Sequence, residues 1–191
     1  MIFLVGPHGA GKTKSSEIMC KFCFYPIDLG PALRKIHIEL EKEVGFTDWI
    51  KHGEKKFGIH FTDEVLVQEI SKLKKRLEAD NGYIDLTIVG SRSIVGIEKI
   101  RTAIPNVNGH GNTIIFIDAP FNILLERYSE REGINLDIEG FKDLLVKDQK
   151  IGIDSIRTKA DFTICNRGGE AELEAELKDI LFKKLGYEKR G

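Results

Sequence analysis

No apolar run in the 191 residues approaches the length of about 20 that a bilayer-spanning helix requires. The first residues carry neither a basic leader nor a small-residue cleavage site, so a chain without a signal peptide, working in the cytoplasm, is expected. Proline occurs 5 times and cysteine 3 times, too few for a proline-rich linker or a disulfide-stapled scaffold. Neither charge sign is in excess: 29 Lys and Arg against 30 Asp and Glu leave a formal net charge of -1. Bulk electrostatic capture of nucleic acid or of an anionic membrane is therefore not expected. Internal repeats and low-complexity stretches are absent as well. With 41% hydrophobic and 31% charged residues, the composition suits one globular domain spanning 1–191 with a sizeable core.

Short, continuous apolar runs occur at Ile2–Val5, Phe24–Asp28, Tyr83–Val89, Thr113–Ile117 and Phe162–Cys165. Such runs suit strands covered on both faces. Helical patterns separate them. One starts near Lys12. A second covers Ala32–Val44, with Leu33, Ile36 and Leu40 on one face, and a third is capped by Thr62-Asp63-Glu64. Others cover Ile94–Ile104, Pro120–Arg131, Ile138–Lys147 with a second piece to Ala160, and Glu170–Leu185. Gly45–Phe61 reads as irregular, and Pro105–Gly111 as a loop. Five strand–helix steps predict an α/β fold of three layers, a five-stranded parallel sheet with helices on both faces. The helical excursion over residues 30–82 is too long for a simple crossover. It suits a subdomain projecting over the strand ends, where ligands bind in such sheets. The link from Arg131 to Ile138 is short and polar.

Gly6-Pro7-His8-Gly9-Ala10-Gly11-Lys12-Thr13 satisfies the G-x-x-x-x-G-K-[ST] pattern between a strand and a helix. Gly6, Gly9 and Gly11, with Ala10, let successive backbone N–H groups turn inward around a phosphate. The helix that follows, opening with Lys12, Thr13 and Lys14, adds unsatisfied donors and the positive end of its dipole. Lys12 can reach the β- and γ-phosphates, and Thr13 can place its hydroxyl on Mg²⁺. His8 faces either phosphate and substrate or solvent and backbone. ATP with Mg²⁺ is the cofactor pair that this loop implies. The Asn/Thr-Lys-x-Asp tetrad that reads guanine is missing, and the third strand ends Ile88-Val89-Gly90 without a magnesium-holding aspartate.

Further along, the chain resembles the nucleoside-monophosphate kinase group of P-loop proteins, which includes adenylate and dephospho-CoA kinases. Leu29-Gly30-Pro31-Ala32-Leu33-Arg34 occupies the slot of T-G-D-L-L-R in adenylate kinases, and Val89-Gly90-Ser91-Arg92-Ser93 is similar to their D-G-x-P-R and to the D-G-x-R-S of dephospho-CoA-kinase-like proteins. The resemblance makes Arg34 and Arg92 clamps on the acceptor. Glu126-Arg127-Tyr128-Ser129-Glu130-Arg131 resembles E-R-x-x-x-R at the start of the family's lid, which puts Arg127 against adenine and Arg131 on the transferring phosphates. Ala160–Gly168 is similar to the A-D-x-x-I-x-N-x-G of dephospho-CoA kinases, where Asn166 and Gly168 would flank the donor base. The implied activity is transfer of the γ-phosphoryl of ATP to a small nucleotide or nucleotide-like acceptor. Alternatives are dephospho-CoA kinase itself, or a nucleotide-regulated ATPase or assembly protein with no small acceptor. Three departures stand out: Pro31 replaces an acidic residue, Val89 replaces the aspartate that helps hold magnesium, and the Arg131–Ile138 link is too short for the family's long lid, which implies a short one at about 127–140.

The arginines also make sense without the family. Phosphoryl transfer needs positioning and positive charge around the moving group, and a planar guanidinium that keeps its proton supplies both. Asp28, ending the second strand, stands where dephospho-CoA kinases carry an aspartate, so the resemblance implies a general base for an alcohol acceptor; the residues alone also allow a cap that orders the next helix. Asp118, ending the fourth strand, either belongs to the magnesium shell or caps the helix at Pro120, the cap being the first expectation. Asp148, in the helix after the lid, gives no sequence signal of chemistry. Cys20 and Cys23 have redox spacing, but that spacing falls within a helical pattern; Cys165 reads as core. Trp49, His52 and His60 either line an acceptor pocket or form a satellite core.

Overall fold

Residues 1–104 and 111–188 are described by a computed structural model. Its centre is β1 (Ile2–Val5), flanked by β3 (Asp85–Val89) and β4 (Thr113–Asp118), with β2 (Phe24–Asp28) outside β3 and β5 (Phe162–Cys165) outside β4. All pairings are parallel; in register, Phe3 faces Ile88 on one side and Ile114 on the other. β1 and β3 are buried along their whole length; β1 reads as an unbroken apolar run for that reason, whereas β3 buries Asp85 and Thr87 as well.

Two apolar cores cover the sheet. Trp49, Ile70, Ile97 and Ile156 pack on Phe3, Val5 and Ile88. They come from α3 (Phe46–Phe57), α4 (Phe61–Asn81), α5 (Ile94–Ala103) and α8 (Ile153–Thr158). On the opposite face Ile18, Leu124, Phe141 and Leu177 pack on Leu4 and Ile115. These belong to α1 (Lys12–Cys20), α6 (Phe121–Glu132), α7 (Ile138–Ile151) and α9 (Glu170–Lys178), the last continuing as a π-helical turn over Asp179–Lys184. The remaining helix, α2 (Leu29–Glu41), opens the long excursion between β2 and β3. The three-layer α/β arrangement is therefore the one that the strand–helix alternation predicts.

Several local expectations need correction. Gly45–Phe61 is not irregular, since α3 occupies most of it. Phe46, Trp49, Ile50 and Gly53 recur at helical spacing, and Gly53 reads as a breaker only until its packing is seen: a Cβ there would lie 2.2 Å from the Phe61 ring. Trp49 is core, packed against Phe46, His37 and Phe61, whereas His52 is exposed. Thr62-Asp63-Glu64 lies inside the first turn of α4, whose cap position is His60. Asp63 is turned instead toward Gly96 of α5. Helix α2 starts earlier than expected because the Asp28 side chain caps it, accepting from Gly30 N at 3.0 Å. Of the face proposed for that helix, Ile36 is buried but Leu40 is 63% exposed. Helix α1 stops at Cys20, so the two cysteines of the spaced pair straddle its end; both are exposed, as is Cys165, which lies beside Arg167 rather than in the core. Apart from Gly111, the loop expected over Pro105–Gly111 lies outside the described residues.

Helix α7 is tied to the sheet chiefly through Phe141, which is fully buried and meets the rings of Phe121 and Tyr128 from α6 at 5.5 and 5.6 Å. Truncating a buried Phe costs about 3–5 kcal/mol. We expect Phe141→Ala to lose that much in urea unfolding. A loss below about 1 kcal/mol would show that α7 is fixed by other contacts.

Candidate functional site

The loop between β1 and α1 is drawn tightly against its surroundings. A Cβ on Gly6 would stand 1.9 Å from the Ile117 carbonyl oxygen of β4, and one on Gly11, whose φ is +100°, would stand 2.4 Å from Asn166 Nδ2. Both positions need glycine, for space at the first and for space and backbone at the second. Lys12 is folded back over the loop, its Nζ donating to the carbonyls of Gly6 and Pro7 at 2.8 and 2.7 Å. The first turn of α1 contains no acidic residue, so nothing there offsets the positive end of its dipole. Thr13 is exposed at the mouth. The Lys14 side chain turns away to Glu17 and Glu170, at 3.1 and 3.0 Å.

Beside the loop lies a charge cluster. Arg92 Nη2 donates to His8 Nε2 at 3.4 Å, and Arg92 Nη1 lies 3.7 Å from Asp148 Oδ1. The other oxygen of Asp148 is 3.6 Å from His8 Nε2. His8 also meets the ring of Tyr128 edge to face at 5.4 Å. Burial pushes the Lys12 amine down to about 8, with Asp148 and Asp28 raising it and Arg92 and Arg131 lowering it. Burial likewise holds His8 below its ordinary range. There Asp148 opposes the shift, while Lys12, Arg92 and Arg131 add to it. The site is a concentration of positive charge in a partly dehydrated place, which an arriving phosphate would relieve.

A second cluster lies on the β5 side. Arg127 donates to the carbonyls of Asn166 and Gly168 at 3.2 and 3.0 Å, and Asn166 Nδ2 donates to Ala10 O at 2.8 Å. Three residues expected around a donor base thus meet next to the loop. Arg131 lies over the Tyr128 ring at 5.2 Å with its guanidinium on Glu132 at 2.8 Å, yet its charge still reaches Lys12 and His8. Asp118 does not cap α6. One oxygen accepts from Ala119 N at 2.9 Å and the other pairs with Arg157 at 3.0 Å.

On the β2 side, Asp28 Oδ1 lies 3.5 Å from where a Cβ on Gly90 would be, which places it between the ends of β2 and β3. Arg34 is exposed nearby: its Nη1 is 3.7 Å from the corresponding position on Gly30, and its guanidinium covers the Phe46 ring at 5.5 Å. Asp28 and Arg92 both act on the Lys12 amine, whereas Arg34 is turned onto the Phe46 ring.

Asp148 is the residue that sequence reasoning missed. It is 5% exposed and carries charge into the site from α7. A signal was present: Phe141, Leu144 and Asp148 recur at i, i+3 and i+7, so the carboxylate falls on the buried face of the helix. A buried charge needs partners, and here they are the Arg92 guanidinium and the His8 imidazole.

No family model matches the chain. A UPF0200 protein of Thermococcus kodakarensis is 26% identical over 186 residues, covering 95% of this chain and 96% of the relative. An adenylate kinase of Kosmotoga olearia is 27% identical over 162 residues, 80% of this chain and 72% of that one. Among solved structures, shikimate kinase from Acinetobacter baumannii in complex with shikimate superposes with a TM-score of 0.59 at 19% identity, over 96% of this chain and 93% of its own. A gluconokinase from Sinorhizobium meliloti does so with a TM-score of 0.59 at 18% identity, over 96% and 92%. The fold is that of the small P-loop kinases, and the sequence is similar to the nucleoside-monophosphate-kinase-like group.

The displaced Lys12 amine has a consequence for stability. Between pH about 8 and its ordinary value of 10.5 the unfolded chain binds the extra proton, so this group makes stability rise with pH there. At neutral pH its charge is a cost to the folded state. Lys12→Met should therefore be more stable than the parent at pH 7 without nucleotide, by about 1–2 kcal/mol, with the advantage fading as pH nears 10. Thermal unfolding at both pH values measures it; a variant less stable at pH 7 would contradict the assignment.

Proposed function

We propose that this protein transfers the γ-phosphoryl group of ATP to a small acceptor, with a nucleotide or nucleotide-like molecule as the first choice of acceptor class. The observation that carries this reading is the convergence of Arg92, the charge of Arg131 and Asp28 on Lys12 beside one glycine loop. A pure hydrolase needs the loop; it has no use for a second set of guanidinium groups at an acceptor entrance. The relatives and neighbours named as adenylate kinase, shikimate kinase and gluconokinase support the same class.

In this reading the loop amides and Lys12 hold the β- and γ-phosphates, and Arg127, Asn166 and Gly168 border the donor base. Thr13 would hold Mg²⁺ with the phosphates: its side chain is exposed beside the loop, and a hydroxyl oxygen is the hard donor that this ion takes. When bound, Mg²⁺ supplies positive charge between the β- and γ-phosphates. Arg92 stabilises charge on the moving group and, with Arg34, presents the acceptor. Residues 30–82 form the acceptor-binding subdomain and residues 127–140 the short lid that excludes water.

A second reading concerns the acceptor's nucleophile. Asp28 uses one oxygen on Gly30 N and is exposed at the mouth, so its other oxygen is free to take a proton from an alcohol. An ionised phosphate acceptor would need no such base.

Coupled assays with nucleoside monophosphates, deoxynucleotides, dephospho-CoA and sugar acids should show ADP release that depends on one acceptor. ADP release indifferent to every acceptor but responsive to a protein partner would overturn the kinase reading in favour of a regulator. With the acceptor found, Arg92→Ala should lower transfer by at least about 10³ while leaving the fold intact. Asp28→Asn should lower it by about 10²–10⁴ for an alcohol acceptor and change it little for a phosphate.

A further inference from the structure

The proposed reaction needs the Arg92 guanidinium on phosphate, yet the structure has it engaged elsewhere. Arg92 Nη2 donates to His8 Nε2 at 3.4 Å, and this same nitrogen lies 3.6 Å from Asp148 Oδ2. One imidazole nitrogen cannot serve both neighbours. With a lone pair, Nε2 accepts from Arg92; with a proton, it becomes a donor, repels the guanidinium and faces the carboxylate. The cluster is therefore a two-position device whose state is set by a single proton.

We propose that His8 is a proton-gated holder of Arg92. In the empty site its neutral Nε2 retains the guanidinium. When nucleotide phosphate enters the loop, a proton from solvent binds Nε2, the imidazolium pairs with Asp148 Oδ2, and Arg92 is released to the phosphate. The inference rests on the functional reading above, because the phosphate is its trigger. No covalent bond changes; one solvent proton is taken up for each nucleotide bound.

The charged and titratable groups around His8 give the device its sign. Lys12 comes from α1, Arg92 from the segment after β3, Tyr128 and Arg131 from α6, and Asp148 from α7. Without nucleotide, burial is the largest influence and, together with the three cations, it outweighs the one carboxylate, so the ring stays neutral at pH 7. A triphosphate adds several negative charges beside the loop and reverses that balance. By linkage, a proton taken up on binding makes nucleotide affinity fall as pH rises, by at most about tenfold per pH unit for one proton. Lys12, at about 8, is already mostly protonated at pH 7 and adds only a small part of any uptake measured there.

The test uses the full chain with Mg²⁺ and a non-hydrolysable ATP analogue. Imidazole resonances are titrated by NMR with and without the analogue, and the His8 signals are identified as those missing from His8→Gln. The His8 pKa should rise by more than about 1 unit on binding. Calorimetry at pH 7 in buffers of different ionisation enthalpy should show uptake of about half a proton or more per nucleotide. Both effects should shrink in Asp148→Asn, which removes the partner of the imidazolium but keeps the shape. If the analogue binds and the His8 pKa stays put or falls, the device is wrong while the kinase reading stands. If the analogue does not bind at all, both fall together. Calorimetry on the parent chain needs no variant, so uptake below about 0.2 proton at pH 7 overturns the proposal even if His8→Gln fails to fold.

Discussion

Like charge crowded onto the carboxyl rim of a parallel sheet is the constraint that the rest of the structure answers to. Burial drives the Lys12 amine down to about 8, and the nearby charges of Arg92 and Arg131 push the same way against Asp148 and Asp28. Such a cluster is costly by itself and would become favourable when several negative charges arrive, as the proposed reaction requires of a phosphate-binding site. It survives empty because Asp148 is pressed into it. The carboxylate is held by packing rather than by local sequence, since Phe141 anchors α7 from two turns away. A purely apolar interaction thereby sets the electrostatics of the site.

The sheet makes this possible. With β1 central and fully buried, the loop that follows it emerges between the ends of β3 and β4, and each neighbouring strand end contributes to the same opening. Arg92 arrives after β3 and Asp28 from β2. The segment after β5 closes back onto the loop through the hydrogen bond from Asn166 to Ala10 O. Strand order converts residues far apart in the chain into neighbours within one mouth, as parallel sheets of this kind do at their carboxyl ends.

What could be read in the sequence was whatever is encoded locally. The phosphate loop, five apolar strands and the donor-side group of Arg127, Asn166 and Gly168 each carry their signal within a few residues. Helix α3 was hidden because two of its four apolar-face positions look unhelpful in one dimension: Gly53 resembles a breaker, and Trp49 resembles a pocket residue. Only the Phe61 ring, brought in from α4, explains the glycine. Cys165 looked like core because it ends an apolar run, but β5 is an edge strand with one side open. Asp148 was the costliest omission. A carboxylate on a buried helix face means nothing until the partner cations are known, and those come from the loop after β1 and the turn after β3.

The two carboxylates near the loop divide the work through exposure. Asp148 directs one oxygen at Arg92 and the other at His8, and it is almost wholly buried. An acceptor has no open route to it, which suits a group that positions cations and takes no part in the bond being made. Asp28 is exposed, uses a single oxygen to cap α2, and stands between Gly90 and the Arg34 side of the mouth. The cap fixes the carboxylate without consuming it, so the same hydrogen bond that starts α2 also orients the free oxygen. Capping and proton acceptance are therefore not rival roles for Asp28: a base that must meet a small hydroxyl within hydrogen-bond reach has to be held still, and the first turn of α2 holds it.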